Sequence, residues 1–115
     1  MKDYFGKIQY NGEEYVLVFN LNVMQKIQEE YKTVDEWARL TDGSSGEVNA
    51  GAVIFGFTEM LNEGIDIDNE ESGKNRSFFT LKQVGRMITE IGLQNVTSTL
   101  NDTVINSTKS TEKNA

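Results

Sequence analysis

Asp66-Ile67-Asp68-Asn69-Glu70 sets three acidic side chains at alternate positions, the spacing at which the leading ligands of a calcium loop converge on one cation. In that register the chain holds Glu71 where the sharp turn needs glycine, and Ser77 where a bidentate glutamate closes the cage. The stretch therefore reads as a solvated acidic loop. Carboxylate pairs do acid-base work, as in glycoside hydrolysis, when an apolar pocket raises the pKa of one partner, and here the dense carboxylates all lie in polar sequence. Lys82 and Arg86, four apart on one face of a helix, are spaced to grip an anion, and with Glu90 nearby they read as ordinary surface charge. Gly43 to Gly46 lacks the Lys-Ser/Thr of a phosphate-cradling loop. There is no cysteine, hence no disulfide, thiolate nucleophile or thiolate-ligated metal, and no histidine, the usual general base near neutral pH and the commonest metal ligand. The expectation is a chain that works without catalysis, metal or cofactor.

At 115 residues the chain is one domain by length, read as a single α+β domain over 1–105 with a disordered tail over 106–115. Its net charge is −7, and between Leu40 and Gly73 eight acidic residues occur with no lysine or arginine. Basic residues elsewhere form no stripe interleaved with aromatics, so nucleic acid is not an expected partner. Met1 to Asp3 is polar, and no apolar run approaches the roughly 20 residues of a membrane helix. A soluble, cytoplasmic protein is the expectation.

The elements that must position these groups are legible from periodicity. Asn11-Gly12 between alternating apolar residues predicts a hairpin with a type I′ turn. Tyr4, Gly6, Ile8 and Tyr10 share one face of its first strand. The second, Tyr15 to Phe19, is apolar on both faces and predicts a central strand, or one closed by another subunit. Asn20 caps a helix carrying Val23, Met24, Ile27 and Tyr31, and Thr33 with Glu36 is a capping box for a short helix carrying Val34, Trp37 and Leu40. Thr41 to Gly46 reads as a loop. A helix from Asn49, apolar nearly all round, is expected to stop at Gly64 in the left-handed conformation, followed by a flexible loop over Ile65 to Ser77. Thr80 with Gln83 opens an amphipathic helix carrying Leu81, Val84, Ile88 and Ile91, and Gly92 stops it. Leu93, Val96, Leu100 and Val104 then mark a last helix weakened by β-branched threonines. The resulting fold class is α+β, an N-terminal β-hairpin packed against four to five helices.

Tyr15–Val23 (YVLVFNLNV), Tyr31 with Val34 to Trp37, Ile54–Gly64 (IFGFTEMLNEG) and Thr80–Gly92 (TLKQVGRMITEIG) together resemble the small tail assembly chaperones of long-tailed phages and prophages. The resemblance implies a factor in the cytoplasm of a bacterial host that binds the tape measure protein, holds it while tail tube protein polymerises around it, and is absent from the mature virion. The runner-up is a virion structural protein, such as a head-tail connector or tail terminator subunit. Read from the residues themselves, the surplus apolar surface is suited to a client segment or to a homo-oligomer. The partner-binding candidates are Tyr15, Leu17, Phe19, Phe78 and Phe79 for apolar contact, the first three read as core ahead of partner contact and Phe78 and Phe79 as an exposed anchor at a loop end, with Glu63, Asp66 and Asp68 facing a basic partner.

Overall fold

The computed structural model describes the backbone of residues 5–114 and the side chains of residues 6–107. Tyr4 lies outside the described residues. The chain forms β1 (Phe5–Tyr10), β2 (Glu13–Val18), α1 (Leu21–Tyr31), α2 (Val34–Asp42), α3 (Ala50–Ser72), α4 (Leu81–Ile91) and α5 (Leu93–Asn114). This is the expected α+β architecture.

β1 and β2 pair antiparallel with Tyr10 opposite Glu13, and both turn residues, Asn11 and Gly12, take positive φ. Because Tyr10 and Glu13 flank a two-residue turn, they exchange hydrogen bonds, and the alternation of the ladder then turns the N–H and C=O of Val16 away from β1. α3 closes that outer edge. Gly64 lies against the Val16 carbonyl, in a space that admits no Cβ. This is why Gly64 does not terminate α3, as its residue type suggested: it sits inside a 23-residue helix at the point where strand and helix cross. The terminator is Gly73, which has the left-handed φ of 68°. Ile65, expected to open a loop, is buried in the core, and the segment joining α3 to α4 shortens to residues 73–80.

β2 is also not a central strand: the sheet has two strands among the described residues. Leu17 and Phe19 enter the core, and Val18 on the opposite face is 3% exposed within the one chain, so this part of the strand does not require a second subunit to cover it. β1 rests on α5, where Gly6 makes room for Thr103 and Thr99. Buried Thr103 satisfies its hydroxyl by donating to the Thr99 carbonyl (2.8 Å), and Thr97 and Thr99 bond back within the helix likewise. α5 runs from Leu93 to Asn114. The polar sequence contains neither proline nor glycine to stop an established helix, and Ser107 Oγ donates to the Phe19 carbonyl (3.1 Å).

The caps follow the sequence at Asn20, Asn49 and Thr80, whose box with Gln83 is complete. At Thr33 half the box forms: Thr33 Oγ1 accepts from Glu36 N–H, while the Glu36 carboxylate turns to Arg39 (2.6 Å). Trp37, 1% exposed, anchors α2 by donating its indole N–H to the Ala52 carbonyl (2.8 Å), with Gly56 of α3 leaving room for the ring.

Candidate partner-binding surface

Leu17 and Phe19 are fully or almost fully buried, so neither can meet a partner; period-2 alternation points both inward, and sequence alone does not say how thick the covering layer is. Trp37 and Phe57 are core as well, and Phe55 is half-buried with its ring edge-on to Tyr31 at 5.7 Å. Tyr15 and Phe79 are brought together, 5.6 Å apart in an edge-to-face pair, with the Arg76 guanidinium 4.9 Å above the Tyr15 ring. Arg76 also reaches Glu13 at 3.2 Å and Asp68 at 3.3 Å, tying β2, α3 and the 73–80 segment into one cluster.

That segment is held by two asparagines of α3. Asn62 donates to the Phe79 carbonyl and accepts from the Phe79 N–H, both at 2.9 Å; Asn69 does the same for Arg76, both at 3.0 Å. Seven residues of helix rise about 10.5 Å, and three residues of extended chain span about 10 Å, so the two clamps fit a strap running antiparallel to α3. Phe78, beside the clamped Phe79, is 55% exposed. Of the five apolar candidates it is the one that offers a large face to solvent.

The acidic trio does not form an open patch. Glu63 accepts from Asn20 (2.8 Å) and Asn22 (3.1 Å), locking the start of α1 to α3. Asp68 takes Ser72, Lys74 and Arg76, and the Ser72 hydroxyl, with the two cations behind it, holds its carboxyl below the ordinary value. Asp66 alone is exposed without such ties. The alternate spacing that suggested a loop is carried by a helix, where positions two apart diverge. Among the described residues no group of three or more candidate metal ligands converges. Nor is any helix among them long and apolar enough to cross a membrane.

Among the concavities that the described residues form, two border this surface. One, about 460 Å³, is polar and bordered by Glu13, Glu14, Asp68, Lys74 and Arg76, whose charges largely pair with one another. The other, about 390 Å³, is apolar and lies between the first half of α3 and α4, with Ile54, Ile88 and Leu93 on its walls and Gly85 on its floor. The residue reading missed this groove. It placed Ile88 and Leu93 on the apolar stripes of their helices, and of these Leu93 is 45% exposed. The available signal was Gly85, a glycine in the middle of an otherwise well-formed amphipathic helix. No family model, curated protein or solved structure matches the chain.

Proposed function

We propose that this chain is a phage tail assembly chaperone that binds the tape measure protein in the bacterial host cytoplasm, acts by binding alone, and leaves before the particle is complete. The observation that carries the reading is the apolar groove between α3 and α4, a cleft of the size and character that receives one face of an amphipathic helix. Exposed Phe78, Leu81 and Leu93 add apolar surface that a client can cover. The resemblance noted in the sequence supports the same reading, since tape measure proteins are long, helical and apolar. The test is co-expression of this chain with the tape measure protein of the same gene cluster, followed by pull-down and a solubility assay. Tape measure protein that is soluble only with this chain, and co-purifies with it, is the expected result; insolubility in both cases overturns the reading.

A virion structural subunit is the second reading, favoured by the outer edge of β1. Lys7 and Gln9 turn their backbone groups away from β2, and no backbone partner meets them among the described residues. Such an edge can add a strand from a neighbouring subunit. Presence of the chain in purified particles favours this alternative; absence favours the chaperone.

A further inference from the structure

We propose that the groove between α3 and α4 seats one helix of the client, a helix with an apolar face and an acidic flank. The proposal rests on the chaperone reading and adds where the client is held and what chemistry selects it.

The first observation is Gly85. The glycines Gly56 and Gly64 of α3 are required by the chain's own packing, because a Cβ at either would collide with the Trp37 ring or the Val16 carbonyl. Gly85 has no such requirement: a Cβ there would sit 3.6 Å from Ile54 Cδ1, an ordinary contact. Glycine inside a helix nevertheless disfavours that helix relative to alanine. What the missing side chain provides is a floor on which another backbone can lie closely.

The second observation is the wall. Ile54, Ile88 and half-exposed Leu93 border the floor, and Leu81, 52% exposed, lies one turn before Gly85 on the same face of α4. Apolar anchors at i, i+3/i+4 and i+7 of an incoming helix fill such a cleft.

The third is charge. At 100° per residue, Lys82 and Arg86 fall beside Thr89, which lines the groove, and both are exposed. Neither belongs to an ion pair among the described residues, where the pairs are Arg39 with Glu36, Lys74 with Asp68, and Arg76 with Glu13 and Asp68. In a chain of net charge −7 this cationic rim draws an acidic flank and rejects a basic one. A second copy fits less well, since its acidic helix α3 has already turned its apolar residues into its own core.

The test uses fluorescein-labelled overlapping peptides spanning the tape measure protein, titrated with wild-type chain, Gly85→Leu and Lys82→Glu/Arg86→Glu. Thermal melting checks that each variant folds, and the charge variant, at two exposed positions, stays informative if the other does not. Wild-type chain is expected to bind peptides that pair an apolar face with acidic residues. Gly85→Leu weakens that binding by about tenfold or more, and the charge reversal weakens it by about tenfold at low salt, with the difference shrinking as salt rises. If the wild type solubilises the tape measure protein but both variants bind its peptides equally, or no peptide binds, the groove assignment is overturned and the chaperone reading stands. Failure of the wild type in both assays overturns the two together. A dimer by sedimentation that Gly85→Leu dissociates assigns the groove to a second copy and overturns the client assignment.

Discussion

Gly64 and Gly85, both inside helices, answer different physical demands, and the differences can be measured. Gly64→Ala drives a methyl group into the Val16 carbonyl, which is backbone and cannot rotate aside, so we expect a loss of about 3 kcal/mol or more in urea denaturation. Gly85→Ala meets only ordinary contact and gains helix propensity, so the same assay should show a rise of about 0.5–1 kcal/mol. Lys32 is a third backbone case. It takes φ 76° and ψ −49°, and the Thr33 N–H bonds across it to the Tyr31 carbonyl at 2.9 Å, which makes it the centre of a tight three-residue turn of the strained, positive-φ form. Lys32→Gly relieves that strain, and an increase of about 0.5–1 kcal/mol is expected. Two of these roles were hidden in the sequence. Gly64 looked like a stop because its local context, polar sequence after an apolar run, is that of a C-cap, and only the crossing of β2 explains why the helix goes on.

Among the elements, the strap over residues 73–80 is the least conventional. Asn62 and Asn69 hold it through paired amide hydrogen bonds, leaving no regular secondary structure in it. Replacing either asparagine with alanine removes two hydrogen bonds and leaves partly buried backbone groups unsatisfied, at about 1–2 kcal/mol each. Amide hydrogen exchange should accelerate at Phe79 in Asn62→Ala and at Arg76 in Asn69→Ala, because these are the N–H groups the two side chains accept from. Unchanged exchange at both amides would show that the strap is held by the Tyr15, Phe79 and Arg76 cluster instead. The helices on either side of the strap were legible because each carries its own signals. The Thr80 and Gln83 box opens α4, Asn49 caps α3, and Val84, Ile88 and Ile91 keep the helical spacing. The strap was legible only as an absence of periodicity, since its partners lie seven and 17 residues away in sequence.

For the molecule as a whole, the half-buried Glu59 provides a test of stability against pH. Burial pushes its carboxyl above the ordinary 4.5, Lys26 opposes the shift and Glu63 adds to it. A raised folded-state value means the protonated form is favoured in the fold, so this group's contribution is fully present below 4.5 and is lost as pH rises through the raised value. Glu59→Gln should therefore be more stable than the wild type at pH 7, with the advantage vanishing below pH 4.5, as chemical denaturation across that range would show. Asp68 and Asp42 act in the opposite sense: their values are lowered, by the Ser72 hydroxyl and the Ser44 backbone N–H first, so their contributions are present above 3.8 and fade as pH falls through the lowered values. By itself the sequence determined the hairpin and its turn, four of the helix starts, the inward stripes and the α+β class, because turn chemistry, capping and periodicity act between residues a few positions apart. The tertiary structure alone decided that α3 outruns Gly64, that Glu63 and Asp68 are occupied within the chain, and that an apolar groove opens over Gly85. Each of these depends on which distant segment fills or leaves the space beside a residue, and that is set by how the helices and strands pack.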